Sequence, residues 1–111
     1  MKTSRHENYI VIGDHRDDVL KFAHYLERMV PLKFEEENLA IDLLKYKNLT
    51  LSQLLGFLKL SNYHRSTKHS FVIVNDAINI DDIPDEMIVV PTLEEAGDIV
   101  KMEEIERDLG F

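Results

Sequence analysis

The chain has 111 residues, 44% of them hydrophobic, and its 21 acidic residues outnumber 13 basic ones for a net charge of -8. That length fits one domain spanning residues 1–111, able to bury roughly two-thirds of its unfolded surface without covalent staples. There is no cysteine, which excludes disulfides, thiol catalysis and cysteine-ligated zinc or iron–sulfur centres.

The start, Met1-Lys-Thr-Ser-Arg-His-Glu-Asn8, lacks the apolar core of a signal peptide. No apolar run approaches the roughly 20 residues needed to span a bilayer. The expectation is a cytoplasmic protein without membrane contact. Residues 1–7 either fray or add an edge strand. Tyr9-Ile-Val-Ile-Gly13 then reads as a buried strand. Asp14 is expected to cap the helix after it. Val19, Phe22, Ala23, Leu26 and Met29 or Val30 recur at helical spacing, and Pro31 is expected to end that helix. An acidic turn at residues 35–37 leads into a second strand over residues 39–44, interrupted by Asp42.

Thr50-Leu-Ser-Gln53 has the form of a capping box, and Leu51, Leu54, Leu55 and Leu58 are predicted to form the buried stripe of a second helix. The polar stretch 62–69 is expected to break it. Phe71-Val-Ile-Val74 reads as the third strand, residues 77–85 as a short helix or turn stopped by Pro84, and Met87-Ile-Val-Val90 as the fourth strand. A second capping box, Thr92-Leu-Glu-Glu95, opens the last helix, whose acidic first turn suits the helix dipole. Strands alternating with helices predict an α/β domain with a mainly parallel sheet of four to five strands and about four helices.

Charge is unevenly spread. Residues 43–75 carry no acid but five bases, Lys45, Lys47, Lys59, Arg65 and Lys68, whereas residues 76–111 carry twelve acids and two bases. This is either plain solvated surface or a dipole that steers a partner. Nucleic acid is disfavoured, because His64, Arg65, Lys68 and His69 form only a short basic patch.

Catalytic motifs are missing. His6, His15, His24, His64 and His69 are scattered without metal-ligand spacing, and no phosphate-binding glycine loop or nucleophile elbow occurs. The carboxylate pairs Asp17-Asp18, Asp81-Asp82 and Glu103-Glu104 are sequence neighbours, which point to different sides of a helix. No catalytic residue, metal or cofactor is assigned. Met102, Ile105 and Leu109 make a narrow stripe near the end of the chain. Either this helix packs along its own domain, or the stripe forms a handle for a partner or a second copy, with Phe111 as an anchor.

The order of parts resembles the STAS domain, the fold of anti-sigma-factor antagonists and sulfate-transporter tails. Three pieces carry the likeness, which covers residues 9–100. Leu39-Ala-Ile-Asp-Leu-Leu44 is similar to the family's central strand. Thr50-Leu-Ser-Gln-Leu-Leu55 falls where the family has Asp-Ser-Ser or Asp-Ser-Thr before Gly-Leu. Ile88-Val-Val-Pro-Thr-Leu-Glu-Glu-Ala96 is similar to the last strand and the start of the last helix. The resemblance implies a bacterial regulatory module that binds a kinase-like anti-sigma factor and is released by phosphorylation where a strand meets a helix. Position by position, Thr50 takes the family's Asp place, Leu51 the first hydroxyl place and Ser52 the second, while Gln53 replaces the glycine. Ser52, then Thr50, is the candidate phosphoacceptor. The expected contact surface comprises Asn48, Thr50, Ser52, Gln53, Lys59, Asn62 and Tyr63.

Two further readings stand beside this one. Open α/β sheets bind small ligands at the carboxyl edge of their strands. The ending Met102-Glu-Glu-Ile-Glu-Arg-Asp-Leu-Gly-Phe111 is similar to that of small bacterial chains associated with ribonuclease Z. That enzyme needs a metallo-β-lactamase metal motif absent here, so the likeness implies an RNA-processing accessory at most.

Overall fold

The computed structural model describes residues 1–110. Strand β1 (Lys2–Arg5) is followed by β2 (Ile10–Gly13), helix α1 (Val19–Lys33), β3 (Leu39–Asp42), α2 (Leu51–Leu55), α3 (Leu58–Ser66), β4 (Phe71–Val74), β5 (Ile88–Val90) and α4 (Leu93–Asp108). The strands lie side by side in chain order as one sheet. β2, β3, β4 and β5 run parallel, while β1 joins β2 antiparallel, with Lys2 opposite Gly13 and Arg5 opposite Ile10. The sheet is therefore mixed, which corrects the expectation of a mainly parallel one. Residues 2–5 supply the antiparallel edge, and their side chains are all exposed.

Alternation along the strands divides the core into two layers. Ile10, Ile12, Leu39, Ile41, Phe71 and Ile73 face α1, α2 and α3. Ile78 and Ile83, in the β4–β5 connection, pack against the same layer. Val11, Ala40, Val72 and Val74 face the other way and are covered by Ala96 and Val100 of α4. Gly97 is where this helix crosses Tyr9. A Cβ there would fall 2.9 Å from the tyrosine oxygen.

Local chemistry sets the ends of the elements, and several expectations need correcting. Asp18, and not Asp14, caps α1 by accepting from the Lys21 amide at 3.1 Å. Asp14 instead accepts from the Arg16 amide in the preceding turn. Pro31 lies inside α1 and does not stop it. Its missing N–H removes one bond from the last turn, and the Phe34 amide still reaches the Val30 carbonyl at 2.9 Å. The second strand stops at Asp42, whose Oδ1 turns back to accept from the Leu44 amide at 3.0 Å. Residues 77–85 form a single 3₁₀ turn at Ile80–Asp82, capped by Asn79.

The polar stretch 62–69 does not break the second helical segment, which runs on to Ser66 as α3. Its anchor is His64, fully buried between the sheet and the α1–β3 loop. Nε2 donates to the Glu37 carbonyl at 2.6 Å. Among the described residues Nδ1 has no partner. Burial pushes the imidazole pKa below its usual value, helped by neighbouring His69 and opposed by the Glu37 carbonyl and Glu35. The folded chain therefore holds His64 neutral, and the unfolded chain takes up the proton first. Stability is fully present above the ordinary imidazole value of about 6.5 and declines as pH falls below it. Urea midpoints at neutral and mildly acidic pH should show a steeper decline for the wild type than for His64→Gln, which keeps a donor but does not titrate. Parallel declines would remove His64 as the cause.

Candidate docking surface

At the carboxyl edge of the sheet the chain leaves β3 through residues 43–50, an ordered loop. Asn75, buried just after β4, donates from Nδ2 to the carbonyls of Leu43 at 2.9 Å and Tyr46 at 3.0 Å. Its Oδ1 accepts from the amides of Ala77 and Ile78. The Tyr46 hydroxyl donates to Asp14 at 2.9 Å. Partial burial, then the bond to Asp14 and the charge of that carboxylate, push the phenol well above its ordinary pKa. Leu49 fills the core beneath this loop.

Thr50 then begins α2. Its Oγ1 accepts from the Gln53 amide at 3.2 Å, and Gln53 Oε1 accepts from the Thr50 amide at 3.0 Å, so the predicted capping box is formed. The Thr50 hydroxyl is thereby engaged as a cap. Ser52 is exposed on the first turn.

The predicted buried leucine stripe needs correcting. Of Leu51, Leu54, Leu55 and Leu58, only Leu54 is fully buried; Leu58 is partly so, and Leu51 and Leu55 are exposed. The cause is the short span of α2. After five residues the chain turns at Gly56, and the inward positions become Leu54, Phe57 and Leu60. Exposed Leu20 of α1 adjoins this turn; a Cβ on Gly56 would lie 3.1 Å from its Cδ2. Leu51 and Leu55, one turn apart on α2, and Leu20 at the Gly56 turn are thus exposed leucines in the region of Ser52, which the sequence pattern does not announce. The available signal is Leu20, which lies off the 19-22-23-26 stripe.

Not all the expected contact residues belong to one patch. Asn48, Thr50, Ser52, Lys59, Asn62 and Tyr63 are exposed and Gln53 is half-buried. However, α3 carries Tyr63 toward the opposite edge of the sheet from Ser52. The Tyr63 hydroxyl donates to Glu35 at 3.3 Å, in the loop leading to the amino edge of the sheet. Residues 48–53 lead into the Gly56 turn that Leu20 adjoins, and Tyr63 lies on a separate surface.

The expected basic middle is largely neutralised. Lys45 pairs with Asp17, Lys47 with Asp76 and Arg65 with Glu103. Lys59 and Lys68 have no ion pair among the described residues.

A second feature at the carboxyl edge is a cleft of about 370 Å³ beside α1. Phe22 and Tyr25 contribute ring surface, and Arg16, Lys21 and Arg28 stand around it with His15 and His24. Asp14 and Asp18 also line it, but each already accepts from a backbone amide. Among the described residues no three histidine or acidic side chains are grouped to hold a metal ion, and no helix is long and apolar enough to cross a membrane.

Compared with protein-family models and with curated proteins, the chain matches none. The fold is thus described by its own geometry, as an α/β domain with a mixed five-stranded sheet.

Proposed function

We propose that the chain is a non-catalytic protein-docking module that resembles anti-sigma-factor antagonists of the STAS family, and that it is switched at Ser52. The observation that carries this reading is an exposed serine at the start of α2 with exposed Leu51 and Leu55 on the same short helix and exposed Leu20 at its closing turn. A partner packed on these leucines is held mainly by burial of apolar surface. By the family resemblance that partner is a kinase-like anti-sigma factor. Phosphate on Ser52 adds about -1.5 to -2 charges beside the leucines. The contact is lost because the charge cannot be desolvated there, whereas the domain stays folded because the group is exposed.

The experiment has two arms. Tagged full-length chain is incubated with cell extract and ATP, and the modified residues are mapped. Modification at Ser52 is expected, and modification only elsewhere rejects the switch. In parallel, Ser52→Glu and the Leu51→Glu/Leu55→Glu double variant should both lose the same captured protein. Ser52→Glu should keep the wild-type free energy of unfolding in urea to within about 0.5 kcal/mol. Identical captures by all three chains would reject these leucines as a docking surface.

The cleft at Phe22 and Tyr25 favours a second reading, a small-ligand domain. Its size falls in the range of about 300–1,000 Å³ typical of ligand sites. Its cationic rim selects an anion carrying a flat ring. Amide shifts confined to residues 14–28 on titration with such an anion would favour this reading over docking.

A further inference from the structure

The second half of α4 reverses the usual arrangement of an amphipathic helix. Its inward positions are polar. Glu103 receives Arg65 at 2.6 Å, and Glu104 accepts from Asn8 at 2.8 Å and from Asn38 at 3.3 Å. Arg107 donates to the Asn38 side-chain oxygen at 3.2 Å and to the Ser70 hydroxyl at 3.4 Å. Its outward positions are apolar: Met102, Ile105 and Leu109 are 49%, 60% and 66% exposed. The helix thus packs along its own domain, as one of the two sequence expectations has it, but through these polar side chains and not through the stripe. Phe111, the expected anchor, lies outside the described residues.

A helix that only covered its own sheet would carry the leucine, isoleucine and methionine inward. Ionic anchoring of the inner side fixes the rotation of α4 and holds the three apolar side chains outward. They stand at i, i+3 and i+7, a ridge about 10 Å long. This is the spacing with which one helix packs into the grooves of another.

Charge selects the occupant. Glu94, Glu95, Asp98 and Glu106 lie exposed on the outward half of the helix, Lys101 is its one exposed base, and Lys68 and His69 of the α3–β4 turn border the groove beside Ile105, so acids predominate along the ridge. A second copy would set these acids against their own counterparts in a chain of net charge -8. We propose that the α4 ridge docks a basic amphipathic helix of a partner protein, with an apolar stripe flanked by lysine or arginine. This surface lies on the opposite side of the sheet from α2 and does not depend on the Ser52 switch.

The test uses the full chain labelled with nitrogen-15 and a helical peptide of about 14 residues, with leucines at helical spacing and lysines elsewhere. A counterpart with glutamate for lysine serves as control. The lysine peptide should shift amides of residues 95–109 and leave those of residues 48–55 in place, while the glutamate peptide shifts neither. Ile105→Glu should weaken binding by about tenfold or more, with urea midpoint unchanged. Ile105→Ser provides the same comparison if glutamate disturbs the fold. Failure of the lysine peptide to bind, binding mapped elsewhere, or undiminished binding by the Ile105 variants overturns the proposal. So does a wild-type dimer in sedimentation that Ile105→Glu dissolves, because the ridge then belongs to a second copy.

Discussion

Replacing Asn75 with alanine should lower the free energy of unfolding by about 2–4 kcal/mol. The side chain is buried and uses all four of its hydrogen-bonding sites on backbone groups, two carbonyls in the β3–α2 loop and two amides after β4. Alanine leaves those groups facing a small void. Aspartate is no substitute, because it keeps the acceptor and turns a second anionic oxygen toward the Leu43 and Tyr46 carbonyls. Urea denaturation of the wild type, Asn75→Ala and Asn75→Asp measures the effect, and hydrogen exchange at Leu49 and Thr50 should quicken in both variants. A midpoint equal to wild type would show that the loop holds itself. The consequence for docking is direct, since this loop positions Ser52 and the leucines of α2.

A larger loss is expected from Phe57→Ala, about 3–5 kcal/mol. Phe57 is fully buried at the joint of α2 and α3 and meets Phe22 edge-on, with ring centres 6.4 Å apart. Its removal empties the point where both short helices grip α1. α2 spans only five residues and has little stability of its own, because helix nucleation is costly. Thermal melting should show the loss, and amide exchange should place the first opening in residues 51–57. Phe57→Leu keeps most of the volume and should recover more than half of the deficit. Equal losses in the alanine and leucine variants would mean that ring geometry matters more than volume.

The strands were legible because short apolar runs bounded by turn residues have few other solutions. Tyr9-Ile-Val-Ile-Gly13, Phe71-Val-Ile-Val74 and Met87-Ile-Val-Val90 each contain the strand that forms. Thr50 and Thr92 were legible as caps, because that chemistry lies within four residues. What escaped depends on distant partners. Pro31 looks like a stop until the Phe34 amide closes the turn around it. The stretch 62–69 looks like a loop until His64 is seen entering the core with Ser61. Asn38 and Asn75 give no local signal at all. Asn38 ties the Asn8 carbonyl, the Ser70 amide and α4 together at the amino edge, as Asn75 ties two loops at the carboxyl edge. The candidate surface was half legible, with Ser52 and Thr50 foreseen but Leu20, Leu51 and Leu55 misassigned or unnoticed, because the break at Gly56 rotates the buried side.

The two rims of the sheet limit how copies of this molecule can meet. β1 ends the sheet with a lysine and an arginine on a four-residue strand, and β5 is three residues long and runs straight into Pro91. A neighbouring strand laid along the first rim meets Lys2 and an Arg5 paired with Glu37, charged side chains that it would have to desolvate. Along the second it finds too few free amides to grip, with Asp85 and Glu86 beside them. Ribbon-like growth into fibrils is discouraged at both margins, so a crowded solution of this acidic protein should stay free of cross-β assembly while its helices remain open to visitors.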